Sequence, residues 1–174
     1  FFILFYIALV VSQSQAIFAQ IKLMQPEIEE KVTVLMNQMT LEEKIGQLNL
    51  HNGSWDVTGP VPQGEYQQAR YNLLKSGGVG AMLNVIGVEA TMAAQKIAIE
   101  NSRLGIPLMF GYDVVHGYQT MFPVPIAELA SFDTEIMMET AKIQAIEAAA
   151  GGINWTFAPM IDVGRDPRWG RVME

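Results

Sequence analysis

The stretch that decides the fold is VGAMLNVIGVEATMAAQKIAIENSRLGIPLMFGYD, residues 79–113. It holds two short apolar runs, 79–85 and 107–112, separated by a segment, 88–103, whose apolar residues recur at helical spacing. Strands that are apolar along their whole length, rather than at alternate positions, are typical of a parallel sheet covered by helices. The stretch therefore predicts a strand–helix–strand unit with parallel strands.

The same alternation continues on the C-terminal side. Asp133 is predicted to cap a helix over 135–150, and the apolar run 153–158 is predicted to be the next strand. The side chains expected on the inner face of this helix are those of Met137, Ala141, Ala145 and Ala148. This part of the chain thus repeats the strand–helix–strand unit.

On the N-terminal side the sequence predicts three helices. The first covers 25–39, the second begins at the capping box Thr40–Glu43, and the third covers 66–76 and ends at Gly77. The segment 52–64 is rich in glycine and proline and is predicted to be a loop.

Two architectures with parallel strands compete, an open doubly wound sheet and a (β/α)8 barrel. The glycines of KSGGVGAM (75–82) follow a helix and precede a strand, which is the wrong side of a strand for binding phosphate. Asp113 and an arginine-rich turn, 165–171, each follow a predicted strand, and barrels carry functional residues at that end. We therefore predict an α/β fold of the (β/α)8 TIM-barrel type, with its N-terminal half in this sequence.

Composition argues against several kinds of site. The net charge is -7, from 18 acidic and 11 basic residues, without a block of Lys or Arg that would bind nucleic acid. Cysteine is absent, which excludes disulfides and thiolate nucleophiles, and two histidines make a zinc site improbable. We expect no metal, no cofactor and no nucleic-acid partner.

The first eleven residues, FFILFYIALVV, form an unbroken apolar run. A helix needs about 20 residues to span a bilayer, so this run is too short to do so. It fits the core of a secretory signal over 1–19, cleaved after Ala16 or Ala19, and the alternative is a buried N-terminal element. We expect a secreted, periplasmic protein with no membrane association once the signal is removed, and we assign 20–174 to the barrel domain.

Asp113 is the first candidate for chemistry, within GYDVVHGY (111–118). A carboxylate at the mouth of a barrel can accept hydrogen bonds from two adjacent hydroxyls, which suits a sugar, although a capping role in the loop is the alternative. His116 could carry a proton, but a histidine in a glycine-flanked turn is expected to fix the loop instead.

The arginine turn, RDPRWGR (165–171), is the second candidate. Asp166 is flanked by Arg165 and Arg168, so an ion pair within the turn is expected for at least one of them. Trp169 is expected to pack beneath the turn. Arg171, beyond the glycine, is placed to point inward, where its guanidinium group could grip a polyol.

Three strings resemble the N-terminal barrel of glycoside hydrolase family 3, and its β-glucosidases most of all. They are MTLEEKIGQL (39–48), RLGIPLMFGYDVVHGYQTMFPVPIAELASFD (103–133) and WTFAPMIDVGRDPRWGRVME (155–174). Asp113 matches the aspartate of the family's D-x-x-H-G, and Arg171 matches the arginine that closes R-W-G-R. The resemblance implies that both residues bind the non-reducing glucose.

The resemblance also implies the reaction. Members of the family hydrolyse terminal β-D-glucosyl residues by a retaining mechanism, with an aspartate nucleophile and a glutamate acid/base. Neither role falls on residues 1–174, so both groups are expected downstream and this chain alone is expected to be inactive. β-Xylosidase or another exo-glycosidase of the family stays open, as does a non-catalytic sugar-binding relative.

Overall fold

The computed structural model describes residues 26–53 and 65–174. The described residues divide into two units, with the boundary between Thr40 and Leu41. The predicted signal over 1–19 lies outside the described residues. Among the helices that are described, none is both long and apolar enough to cross a membrane.

The described part of the first unit is helix α1, Pro26–Gln38. Pro26 occupies the first turn, where its missing N–H breaks no helical hydrogen bond. The negative charges of Glu27 and Glu29 stabilise the helix, because they lie at the positive end of its dipole. The helix predicted over 25–39 is confirmed.

The second unit alternates helices and strands. Its elements are α2 (Leu41–Gln47), β1 (Leu50–Asn52), α3 (Glu65–Lys75), β2 (Ala81–Leu83), α4 (Val88–Asn101), β3 (Met109–Tyr112), α5 (Pro125–Leu129), α6 (Thr134–Ala150) and β4 (Trp155–Thr156). The strands form one parallel sheet in the order β1-β2-β3-β4. Consecutive strands are neighbours throughout, as in a (β/α)8 barrel, whereas a doubly wound sheet reverses its order at a switch point. The predicted TIM-type α/β fold is confirmed.

The register assigns one face of the sheet to the barrel interior. Leu50 pairs with Ala81, Ala81 with Met109, and Gly111 with Trp155, so these residues point to the same side. Met82 and Phe110 point to the other side, where they join the hydrophobic core with the helices. The interior face leaves Met109 48% exposed and Trp155 38% exposed, as expected of a barrel surface that further strands would cover.

The core between the sheet and the helices is built around small residues of α4. Ala90, Ala94 and Ala98 recur at i, i+4 and i+8 and are buried, which lets the helix approach the strands closely. Ile97 packs against the same cluster from a partly buried position. The apolar residues that recur at helical spacing in 88–103 thus form the buried face of α4.

Helix α6 presents a different face from the predicted one. Asp133 caps it as expected, accepting hydrogen bonds from the N–H groups of Glu135 at 2.9 Å and Ile136 at 3.3 Å. The buried positions, however, are Thr140, Gln144 and Ala148. Of the predicted inner residues only Ala148 is buried and Met137 is half-buried, whereas Ala141 and Ala145 are exposed.

The reason is that α6 borders an open space as well as the core. Ala141 and Ala145 line a cleft of about 380 Å³ between α6 and the segment Ala158–Pro159 that follows β4. Alanine is apolar, so the sequence predicts it in the core. The helical pattern alone does not show which face of α6 is covered by the elements that follow it.

Two elements were not predicted. β1 ends at Asn52, the first residue of the segment predicted to be a loop, and the part of that segment over 54–64 lies outside the described residues. α5 lies in a stretch for which no element was predicted. β1 has three residues, too few for a periodic pattern, and it exists because Leu50, His51 and Asn52 pair with β2.

The glycines at the start of β2 allow two elements to touch. A Cβ on Gly46 of α2 would overlap the carbonyl oxygen of Gly77, and one on Gly80 would overlap that of Gln47. Gly77 itself has φ +74°, the left-handed conformation expected at a helix end. These glycines serve the packing of α2 against the α3–β2 turn, which agrees with their rejection as a phosphate site.

An ion pair joins α2 to the segment that follows α4. Arg103 donates to Glu43 through Nε at 2.9 Å and Nη2 at 2.5 Å, in the bidentate geometry of an arginine–carboxylate pair. The hydrogen bond to Glu43 raises the pKa of Arg103. The pair lies at the N-terminal end of the strands, where residues of a barrel stabilise the fold rather than act on substrate.

Candidate sugar-binding site

Polar side chains collect where the strands end. Asn52 ends β1, Asn84 follows β2 and Asp113 follows β3, and parallel strands bring these ends to one edge of the sheet. All three side chains are exposed at this edge. The C-terminal edge therefore carries the candidate site.

Asn52 and Asn84 form a pair at this edge. Asn84 Nδ2 donates to Asn52 Oδ1 at 3.1 Å, and the backbone N–H of Asn84 donates to Gly111 O at 3.2 Å. Asn84 has φ +63°, a left-handed conformation that asparagine adopts more readily than most residues. This pair was not predicted from the sequence, although Asn84 is the one polar residue of the apolar run 79–85.

Asp113 begins a loop that closes on itself. His116 Nδ1 lies 3.0 Å from the carbonyl oxygen of Phe122, and the N–H of Phe122 donates to His116 O at 2.7 Å. Because a carbonyl oxygen can only accept, Nδ1 carries the proton and donates. The expectation that His116 fixes the loop is confirmed.

The tip of the same loop is held by helix α6. Glu147 accepts hydrogen bonds from the N–H groups of Gln119 at 3.0 Å and Thr120 at 2.8 Å, and from Thr120 Oγ1 at 2.6 Å. These bonds favour the charged carboxylate, with the Thr120 hydroxyl contributing most, and they lower the pKa of Glu147. Glu147 was not identified from the sequence.

The arginine turn contains the expected internal ion pair, and Arg168 makes it. Its Nε donates to Asp166 Oδ1 at 2.9 Å, its Nη2 donates to Oδ2 at 2.5 Å, and its backbone N–H donates to Oδ1 at 2.9 Å. The hydrogen bonds from Arg168 lower the pKa of Asp166. Trp169 lies beside Gly164, where an added Cβ would come within 3.4 Å of the indole ring, and it is 37% exposed.

Arg171 is held by a second carboxylate in the same segment. Its Nε donates to Glu174 Oε1 at 2.9 Å, and its Nη2 bonds to Oε2. This hydrogen bond is the largest cause of the raised pKa of Arg171, and the charges of Asp113 and Asp162 raise it further. The charge of Asp113 therefore acts on Arg171.

A backbone contact connects the two halves of the site. The N–H of Ile126 in α5 donates to the carbonyl oxygen of Met173 at 3.4 Å. Helix α5 follows the Asp113 loop in the chain, so it links that loop to the segment that carries Arg171. The edge as a whole offers a carboxylate acceptor, a guanidinium donor and an amide pair, the groups with which proteins bind sugar hydroxyls.

Comparison with known proteins identifies a family for this chain. Residues 40–174 match the family described as glycosyl hydrolase family 3 N terminal domain. The periplasmic β-glucosidase of Salmonella typhimurium is 42% identical over 82% of this chain and 18% of its own length. The lysosomal β-glucosidase of Dictyostelium discoideum is 30% identical over 80% of this chain and 20% of its own.

A solved structure extends the likeness to three dimensions. The β-glucosidase of Listeria innocua, in complex with glucose, superposes with a TM-score of 0.71 and 41% identity, over 83% of this chain and 21% of that one. The chain thus spans about a fifth of the length of the proteins it matches. On these matches, and on the parallel sheet with its polar C-terminal edge, the chain belongs to glycosyl hydrolase family 3.

Proposed function

We propose that the protein to which this chain belongs hydrolyses terminal non-reducing β-D-glucosyl residues of β-glucosides and oligosaccharides. The observation that carries the proposal is that Asp113, at the end of β3, and Arg171, in the segment after β4, follow neighbouring parallel strands, and that the charge of Asp113 acts on Arg171. Family membership and the β-glucosidase names of the relatives support the choice of substrate.

Asp113 and Arg171 have complementary roles in this proposal. The carboxylate accepts hydrogen bonds from adjacent hydroxyls of the non-reducing glucose, and the guanidinium group donates to the same ring. Glu174 orients Arg171 by accepting hydrogen bonds from its Nε and Nη2. A sugar bound between them would lie at the mouth of the barrel.

The bond-breaking groups are proposed to lie outside residues 1–174. In a retaining reaction an aspartate attacks the anomeric carbon while a glutamate protonates the leaving oxygen, and the same glutamate then activates water. The family resemblance assigns neither role to a carboxylate of this chain. Residues of this chain are therefore proposed to bind and orient the sugar, and no cofactor or metal is needed for the reaction.

The test is a substrate panel with the full-length protein. p-Nitrophenyl β-D-glucoside and β-D-xyloside are compared by kcat/KM, and the anomer first released is read by NMR. Faster hydrolysis of the glucoside with release of the β-anomer is expected. A preference for the xyloside would reassign the protein to the β-xylosidases, and glucose binding without turnover would identify a non-catalytic sugar-binding relative.

Export of the protein is also proposed. The apolar run at 1–11 and the periplasmic location in the name of the Salmonella relative support it. N-terminal sequencing of the periplasmic protein should find the new terminus just after Ala16 or Ala19. An intact apolar segment on a cytoplasmic protein would contradict this.

A further inference from the structure

We infer that Glu147 is a positioning residue for the sugar site: from helix α6 it fixes the loop 113–122 and thereby the orientation of Asp113. The inference rests on the proposed function, because Asp113 is assigned to sugar binding there. It adds a residue that does not touch substrate and that lies far from Asp113 in the sequence.

Glu147 is half-buried and meets the loop through several hydrogen bonds. The carboxylate accepts three bonds from two consecutive residues, Gln119 and Thr120, at 2.6–3.0 Å. Two of the donors are backbone N–H groups, which cannot move without moving the loop. The contact therefore restrains the backbone of the loop and not merely a side chain.

The place of Glu147 in its helix supports the same role. It lies in the last turn of α6, where the helix dipole disfavours a negative charge. A glutamate at this position therefore does not stabilise its own helix. The hydrogen bonds from the N–H groups of the loop stabilise the carboxylate instead.

The restraint reaches Asp113 because the loop is closed at both ends. His116 and Phe122 exchange hydrogen bonds across its base, and Tyr118 packs edge-to-face on Tyr112, the residue before Asp113, with ring centroids 5.8 Å apart. Between β3 and the tip the loop has few residues to absorb a movement. Releasing the tip is expected to loosen Tyr118 and with it the strand end that carries Asp113.

The experiment uses Glu147→Gln in the full-length protein. Glutamine keeps the length of the side chain but replaces one acceptor oxygen by a donor NH2, so it cannot accept all three bonds. Hydrogen exchange of the peptide covering 113–122 should become faster. kcat/KM for p-nitrophenyl β-glucoside should fall roughly 10- to 100-fold, the scale expected for a misplaced binding group.

A double variant separates positioning from a general loss of stability. If Glu147 acts through Asp113, Glu147→Gln should cost little further kcat/KM in an Asp113→Asn background, whereas independent effects would multiply. Glu139→Gln is the matched control, since Glu139 lies on the same helix and pairs on the surface with Lys142, at 3.8 Å. It should change neither exchange nor kcat/KM.

A second variant, Thr120→Val, tests the same contact from the loop side. If Glu147→Gln does not fold, Thr120→Val removes one of the three donors and should show the same changes at a smaller size. An active wild-type enzyme whose kcat/KM is unaffected by either variant, or multiplicative effects in the double variant, would overturn the role of Glu147 alone. A wild-type protein that neither binds nor hydrolyses β-glucosides would overturn the proposed function, and the role of Glu147 with it.

Discussion

Asp113 and Arg171 show how much of a binding site depends on single side chains. Asp113 is exposed at the end of β3, and the segment that carries Arg171 returns to it after α6 and β4. Their surroundings differ, since Glu174 binds Arg171, while the loop that follows Asp113 is closed by His116 and Phe122. Substitutions at the two positions should therefore affect sugar binding through different routes.

Asp113→Asn in the full-length enzyme should lower kcat/KM for an aryl β-glucoside, with a loss of transition-state stabilisation of about 2–4 kcal/mol. The reason is that charged hydrogen bonds to the sugar become neutral ones. The control is Asp133→Asn, which makes the same chemical change at the cap of α6, where asparagine caps as well as aspartate. Steady-state kinetics of both variants measure the difference. An unchanged kcat/KM for Asp113→Asn would remove this residue from the sugar site.

Arg171→Ala should lower kcat/KM more than Arg168→Ala does. Both arginines belong to one turn and each pairs with a carboxylate, but the charge of Asp113 acts on Arg171, whereas Arg168 is paired within the turn to Asp166. Kinetics with the aryl β-glucoside and a thermal melt of each variant are the measurements. Equal losses of kcat/KM would indicate that the turn acts only as a frame.

At the scale of elements, the fold is held by contacts between segments that the chain places far apart. Arg103 after α4 binds Glu43 of α2, and Glu147 of α6 binds the loop after β3. Gly46 of α2 and Gly80, which precedes β2, have no side chain at positions where two backbones meet. These contacts give two predictions about stability.

The first concerns pH. The pKa of Glu147 is lowered from 4.5 by its hydrogen bonds to Thr120 and Gln119, so the folded state binds protons less readily than the unfolded state. Its contribution to stability is complete above pH 4.5 and is lost as the pH falls through the lower, folded pKa. Melting temperatures of wild type and Glu147→Gln should therefore converge below pH 4.5, and curves that stay parallel would contradict the prediction.

The second concerns close packing. Gly46→Ala should lower the free energy of unfolding by about 1–3 kcal/mol, because the added methyl group meets the backbone of Gly77 and Gly78, which cannot rotate away. Gly170→Ala is the control, since nothing lies within 4 Å of its added Cβ and its φ is not positive. Urea denaturation of the two variants measures the difference. Equal midpoints would show that α2 can shift away.

At the scale of the molecule, the described sheet has two edges and an open face. β1 and β4 each pair on one side only, and the interior face exposes Met109 and Trp155. A closed barrel has neither feature, since every strand pairs on both sides and the interior is filled with side chains. Independent folding of this part of the barrel is therefore disfavoured.

Residues 20–174 produced alone are expected to self-associate and to leave β-glucosides intact. The unpaired edges can pair with another copy, and the apolar interior face favours association. Light scattering, near-UV circular dichroism and an assay with p-nitrophenyl β-glucoside test this. A monomer with a cooperative melt and real turnover would show that this part folds alone and contains the catalytic groups.

Much of the site was predictable because it follows from local pattern. Apolar runs placed β2 and β3, Asp133 marked the start of α6, and Asp113 could be assigned to a strand end. The three family-like strings identified Asp113 and Arg171 as candidates, roles that stay predictions until the substitutions are made. These inferences need only neighbours a few positions apart, because helical and strand periodicities are short.

The tertiary structure alone decided which groups meet. β1 has no recognisable pattern and is a strand because β2 pairs with it, and α6 turns Thr140 and Gln144 inward because of what packs on it. Glu147 is one of 18 acidic residues in the sequence, and it became a candidate only when folding brought it within 3.0 Å of Gln119 and Thr120. The sequence determined the order of the elements and the family. Pairing across the chain was left to folding, because the free energy of such contacts depends on distances that no local pattern encodes.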